Sequence, residues 1–485
     1  MNECKVRDLF PKLNRPEYPT SPEIFLTSIA WGLFDVEGVS ADVRRKFRRQ
    51  QRHSDQNASG EQRGGKVEYS WERLVEPSSG FASNLRDAGF ALSRGSVGEQ
   101  LLISSDFVKA LLSGVTGTTS IKSDSIAVSP LSPSLALLQT VKGMKGTNAN
   151  FALMFEQIWQ LGLVDSEDSI GESWLRASER MLDRNMHLKA LDRALDSTKG
   201  FGPRVRKNSR SSQSEPWAIG QAYPELMIQS PMGWFTRSWK NLTSEQWIDA
   251  LPPRVWTDWA SAVLRTAFGM TYLWEAAWYH TVAENILSRE SQQFNFSSMR
   301  GALLLPWAPS DLPISLRGVK GYIDKKVRTG SEISSLLSTT VKEMGLADVS
   351  LEVGLEALRR NANFLKSLAA AKNLPTTRHT STVEAVTYSL NIRKEFGEGA
   401  DHFGLLSLKG GRFRVPDPGT EWLAAVVSLS SRAPRESINM GNLLFELNSM
   451  GLNPPTSELV SELERAGLAR GSADADIGLN IDTAF

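Results

Sequence analysis

The chain has 485 residues, with 55 Lys plus Arg against 54 Asp plus Glu, a net charge of +1 and one cysteine, Cys4. So even a balance excludes a global field that would draw in nucleic acid or a membrane surface, and any charged partner must be met by a local patch. A lone cysteine excludes an intrachain disulfide and a cysteine-built metal cage, and it fits a reducing compartment.

The length points to about three or four domains. The hydrophobic fraction of 41% is enough for real cores. The first residues, MNECKVRDLFPKLN, are charged early and lack an apolar run, so no signal peptide is expected and the chain reads as cytoplasmic.

Residues 19–34 read as the start of a helix. Ser21 suits the N-cap, Pro22 the first helical position and Glu23 the positive helix end. Arg44, Arg45, Lys46, Arg48, Arg49 and Arg52 follow around Phe47. A helix there is basic on most sides, and this is the strongest single-sign patch in the chain. Residues 54–65 are polar and glycine-containing and read as a loop. Residues 80–112 predict a short helix, a turn at Gly89, two strands around Ala91 and Leu102, and a closing helix from Ser105 or Asp106. Residues 114–133 read as a linker.

Two helices joined by a glycine turn are expected over 133–165. One amphipathic helix is expected over 172–198, with Trp174, Leu175, Met181, Leu182, Leu188 and Leu191 on its apolar face. Residues 202–216, basic and then serine-rich, form the clearest linker.

Nine of the fourteen tryptophans then fall between Trp217 and Trp307. Pro252 and Pro253 suit a helix start. Trp256, Trp259, Val263, Leu264 and Ala267 make one stripe, Tyr272, Leu273, Ala277 and Thr281 a second, and Trp274 and Trp278 lie on an adjacent face. A helix apolar most of the way round is enclosed by others. Each buried Trp withdraws on the order of 200 Å² from water. Asp258, Arg265 and Glu275 interrupt this most apolar span, and a membrane-crossing reading would place them in hydrocarbon at a cost of several kcal/mol. No membrane span is expected. His280 and Glu284 are four apart, a metal-ligand spacing, but no third ligand is near, so they read as ordinary helix-face residues.

Residues 316–330 carry Arg317, Lys320, Lys325, Lys326 and Arg328 with three glycines. Two or three helices follow until Pro375. The C-terminal part begins with a helix over 382–397. A hairpin is expected next: a strand over 405–408, a two-residue turn at Gly410-Gly411 and a strand over 412–415. Its tip holds Lys409, Arg412 and Arg414. Helices are then expected from Glu421, over 440–450 and over 457–466 with Thr456 as cap, followed by two strands around Asp474 and Asp476. Residues 440–485 hold seven acids and two bases.

Four places share a phrase in which a helix ends, glycine turns the chain and an apolar strand begins. They are Leu85-Arg86-Asp87-Ala88-Gly89-Phe90, Leu161-Gly162-Leu163, Phe403-Gly404-Leu405 and Leu463-Glu464-Arg465-Ala466-Gly467-Leu468. This resembles the passage from recognition helix to wing in winged-helix proteins, over about half the chain. The resemblance implies either duplex reading, with a helix in the major groove and a basic wing on phosphate, or protein docking inside a larger complex.

The expected fold is therefore mainly α, with small α+β winged-helix-like modules around a Trp-rich helical centre. The expected division is 1–125, 126–205, 217–375 and 376–485. There is no GxSxG or GxGxxG, and residues 114–123 miss the P-loop spacing. Asp417 and Glu421 begin a nuclease-like pattern, but Leu423 stands where lysine is needed. No cofactor or metal is expected. The expected function is a non-enzymatic, DNA-associated component of a prokaryotic multiprotein complex, of the kind used in phage defence, restriction or chromosome maintenance. Duplex phosphate would be met without sequence preference by the 44–52 run, by Lys320, Lys325, Lys326 and Arg328, and by Lys409, Arg412 and Arg414. The acidic C-terminal module would dock a partner protein. The alternative is a protein scaffold with no nucleic-acid contact.

Overall fold

A computed structural model describes residues 4–11, 13–16, 19, 22–36, 49–51, 67–69, 129–137, 151–162, 169–196, 204–206, 217–288, 296–307, 318–373, 381–392, 401–409, 413–469 and 480–485. The described chain is mainly helical. Its helices of ten or more residues are α1 Ile24–Leu33, α2 Phe151–Gly162, α3 Ile170–Arg184, α4 Met186–Asp196, α5 Pro231–Leu242, α6 Pro253–Leu287, α7 Val319–Glu343, α8 Leu351–Arg360, α9 Ala362–Asn373, α10 Ser381–Leu390, α11 Thr420–Leu429, α12 Met440–Met450 and α13 Thr456–Arg465. The strands are short: β1 Phe34–Val36, β2 Arg49–Gln51, β3 Val67–Tyr69, β4 Arg204–Arg206, β5 Leu406–Lys409, β6 Phe413–Pro416, β7 Ile438–Asn439 and β8 Asn480–Ile481. They pair antiparallel as β1–β4, β2–β3, β5–β6 and β7–β8.

The centre is α6. Pro253 occupies its first position, where the missing N–H costs nothing. At 35 residues it runs about 50 Å. Every residue from 256 to 279 is buried. No face of this stretch is polar, so neighbours must cover it all round. α7, α5, α10, α11 and α1 do so. Trp274 stacks on Trp278 at 5.7 Å, Trp278 on Phe296 at 5.0 Å, and Trp217 meets Trp278 edge-on at 5.1 Å. A single cluster of buried apolar side chains runs through the described chain, from Val6 to Ile481. No helix among the described residues is long and apolar enough to cross a membrane.

Several expected elements differ in detail. The helix expected over 172–198 is two, α3 and α4, because Asn185 takes an extended conformation and its side chain accepts from Leu188 N at 3.0 Å. A short polar side chain that caps a new helix competes with continuing the old one. The linker expected from residue 202 opens instead with β4, paired to β1. α7 passes straight through Gly330, where a Cβ would lie 2.8 Å from the Ala276 Cα. That glycine lets α6 and α7 close on each other.

The helix expected over 382–397 is described only as α10, to Leu390; Asn391 forms a bridge to Leu406. In the hairpin Lys409 pairs with Phe413, so residues 410–412 lie between the strands rather than two glycines alone. Pro455 is the N-cap of α13, and Thr456 is its first residue. The module predicted over 80–112 lies outside the described residues.

The C-terminal part runs α11, β7, α12, α13, β8. Ile438 pairs with Ile481, and Asp482 N donates to Leu468 O at 2.8 Å, so the chain leaving α13 returns alongside β8.

Candidate functional site

Two of the predicted basic patches come together. Gly318 precedes α7 with φ +76, a left-handed backbone that favours glycine. A Cβ there would lie 2.8 Å from the Arg414 carbonyl oxygen. The start of α7 therefore abuts β6, and Lys320 is carried beside the hairpin that bears Lys409 and Arg414. Nothing in the spacing of these residues signals this.

The hairpin also disposes of part of its charge. Lys409 Nζ sits 2.8 Å from Asp417 Oδ2, and Ser407 Oγ donates to the same oxygen at 2.7 Å. Burial pushes the Asp417 carboxyl up, but the bonds from Lys409 and Ser407 outweigh it and hold it below its ordinary range. Arg414 is half-buried, opposite Leu408. Arg412 lies outside the described residues.

On α7, Lys320 and Lys325 are exposed and have no ion-pair partner among the described residues. Lys326 is drawn to Tyr322, with Nζ 3.0 Å from the hydroxyl and 5.3 Å from the ring centre. Arg328 Nε donates to Asp324 Oδ1 at 2.7 Å. Lys326 and Arg328 thus each have a partner within their own helix, one turn away, at the i, i+4 spacing that favours such pairs.

In the 44–52 run, Arg49 opens β2 opposite Tyr69, so this part is strand where a helix was considered. Arg44, Arg45, Lys46, Arg48 and Arg52 lie outside the described residues. Arg204 and Arg206, in the predicted linker, hold the fold together: Arg204 meets Asp192 at 2.8 Å, and Arg206 meets Glu172.

His280 and Glu284 do not converge on a shared ligand. His280 Nε2 is 2.6 Å from Thr329 Oγ1, and Glu284 pairs with Lys372 at 2.8 Å. Burial, with Lys326 and Lys372 close by, lowers His280 to about 4. It is neutral at pH 7 and serves as a helix-to-helix hydrogen bond.

Three charged side chains, Asp258, Arg265 and Glu275, are buried within α6. The structure gives each a partner. Arg265 Nη1 meets Asp401 Oδ1 at 2.8 Å, and its other nitrogens donate to the Ser389 and Asn391 carbonyls. That guanidinium closes the C-terminal end of α10, where helix carbonyls lack partners. Glu275 meets Arg15 at 2.7 Å. Asp258 meets Arg254 at 2.9 Å. Burial raises Asp258 to about 6, against the pull of Arg254 and with the push of Glu23 and Asp401.

No protein-family model, curated protein or solved structure matches this chain.

Proposed function

We propose that this protein is a DNA-associated component of a multiprotein complex, and that it meets duplex phosphate on the face where α7 starts beside the β5–β6 hairpin. The observation that carries this reading is the contact of Gly318 with the Arg414 backbone. It brings Lys320 beside Lys409 and Arg414, from two distant parts of the sequence, with Lys325 further along α7. Two of these cations are exposed and uncommitted among the described residues, and phosphate contact needs nothing more specific. Lys409 is exposed enough to exchange Asp417 for a phosphate oxygen.

The order α11, β7, α12, α13, β8, with β7 and β8 paired, supports a winged-helix-like C-terminal module. Its third helix is unsuited to a phosphate groove. α13 turns Glu458, Ser461 and Glu464 outward.

This module favours a second role, docking a protein. Phe445 on α12 is 41% exposed, Leu303 51% and Ile228 37%. Arg237 ties the patch together: it is 5.3 Å from the Phe445 ring, donates to the Ile228 carbonyl at 2.8 Å and pairs with Glu446. Large apolar side chains grouped on a surface mark protein contacts.

The test is fluorescence anisotropy of a labelled random duplex at low and moderate salt. Binding at micromolar protein that weakens steeply with salt supports phosphate contact. No binding at low salt leaves the docking role alone.

A further inference from the structure

The β5–β6 hairpin carries two large apolar side chains into solvent, Leu408 at 43% and Phe413 at 47% exposure. In an antiparallel ribbon, residues directly opposite each other share a face, and successive residues alternate between faces. Lys409 pairs with Phe413, and Leu408 with Arg414. One face of the ribbon therefore holds Phe413 beside Lys409, and the other holds Leu408 beside Arg414. Each face joins one cation to one apolar side chain.

The base of the same hairpin is fixed. Leu406, Ser407, Val415 and Pro416 are buried. Ile392 N donates to Leu406 O at 2.7 Å, and Asp417 N donates to Leu405 O at 3.0 Å. The start of α7 closes on the Arg414 backbone at Gly318. A ribbon held in this way is ordered before it meets a ligand, so little freedom is lost on binding.

Phosphate contact alone leaves Leu408 and Phe413 without a use. Apolar side chains set among cations can part a base step and kink a duplex, with the cations gripping phosphates beside it. A duplex offers phosphates along both flanks of an inserted ribbon, which matches cations on both faces.

We propose that the β5–β6 hairpin is a wedge: Phe413 and Leu408 enter between neighbouring base pairs, while Lys320, Lys409 and Arg414 hold phosphates beside the opened step. This rests on the phosphate-contact reading above and adds to it that the bound duplex is unstacked and bent. Pyrimidine–purine steps, which unstack most easily, are the preferred sites.

The full chain is titrated onto a duplex with 2-aminopurine at a central TA step and a donor and an acceptor dye at its ends. The parent protein is expected to raise 2-aminopurine fluorescence and energy transfer together. Leu408→Ala with Phe413→Ala, both at exposed positions, is expected to lose both signals and to bind about tenfold more weakly. Its slope of log affinity against log salt should stay the same, because no phosphate contact is removed. Phe413→Leu, which keeps an apolar side chain there, should keep the signals.

Parent binding with neither signal overturns the wedge and leaves phosphate contact standing. So does a double variant, folded by circular dichroism, that binds and bends the duplex as the parent does. No duplex binding at low salt overturns both readings. In that case, binding to phosphatidylserine vesicles that the double variant loses would assign the two side chains to a bilayer surface instead.

Discussion

Arg265 and Asp401 are 136 positions apart in sequence and form an ion pair of 2.8 Å with 1% and 0% of their surfaces exposed. Asp401 Oδ1 also accepts from Phe403 N, and Arg265 donates to two carbonyls at the end of α10. The pair therefore joins the central helix to the strand-bearing C-terminal part. Removing one partner leaves the other buried and charged, which costs about 3–5 kcal/mol. Asp401→Asn and Arg265→Met are each expected to lower the unfolding free energy, read from urea titrations, by that much. The double variant Arg265→Met/Asp401→Asn should lose less than the sum of the two. A strictly additive loss would mean that the two charges do not act as a pair.

Asp258 gives a pH dependence with a definite sign. Burial raises its folded pKa from 3.8 to about 6. Between those values the folded chain keeps a proton that the unfolded chain has released. Stability therefore falls as pH rises through that window and is level above it. Asp258→Asn removes the buried charge but also the bond from Arg254. We expect it to raise stability at pH 8 relative to its effect at pH 4, by on the order of 2 kcal/mol. Unfolding curves at the two pH values check this. An identical effect at both would remove Asp258 as the titrating group.

Much of this architecture can be read in the residues themselves. The periodicity of Trp256, Trp259, Val263, Leu264 and Ala267 gave the buried central helix, and Pro253 gave its start. The break at Asn185 was hidden because the apolar pattern continues across it; only the polar side chain, free to cap, marks the boundary. Gly330 reads as a helix breaker on propensity alone, whereas its reason is tertiary: contact with Ala276. For the basic face the limit is of another kind. Charge runs were visible, but the partners that occupy Lys326 and Arg328 had to be distinguished from open lysines. Tyr322 and Asp324, four residues earlier in each case, were the signal available. The junction of Lys320 with the hairpin depends on long-range packing, and no local pattern encodes it.

His280 opposes Asp258 on the acid side. Burial and two nearby lysines lower it from 6.5 to about 4. Below pH 6.5 the unfolded chain binds a proton that the folded chain refuses, so this stability is lost as pH falls from there to about 4. His280→Gln keeps a donor for Thr329 and cannot titrate. It is expected to flatten the acid limb of the Tm profile by on the order of 2 kcal/mol at pH 4, with little change at pH 7.5. A parallel shift at all pH values would mean that the ring matters only for packing.

Gly330 permits the closest approach of α6 and α7. A Cβ there would lie 2.8 Å from the Ala276 Cα and 2.9 Å from its Cβ. Neither atom is the end of a movable side chain, so the helices themselves must separate. Gly330→Val is expected to cost about 2–3 kcal/mol, at the upper part of the range for overpacked cores. The compensating change Ala276→Gly should recover part of it. A Gly330→Val chain as stable as the parent would show that the two helices slide apart without loss.

The basic face makes the sharpest functional prediction, because its cations divide into open and occupied ones. Lys320 and Lys325 are exposed without an ion partner among the described residues, whereas Arg328 is held by Asp324 on the same helix. If the open lysines meet phosphate, Lys320→Ala with Lys325→Ala should weaken duplex binding about tenfold or more at low salt. It should also reduce the slope of log affinity against log salt by about 2, one contact being worth about 0.9. Arg328→Gln should leave both quantities nearly unchanged, since its charge is already spent. Anisotropy titrations at three salt concentrations separate these outcomes. Should Arg328→Gln weaken binding as much as the lysine pair, the effect would be diffuse charge and not a defined face. Unaltered binding in the lysine variant would remove this face from the interface and direct attention to the arginine run at 44–52.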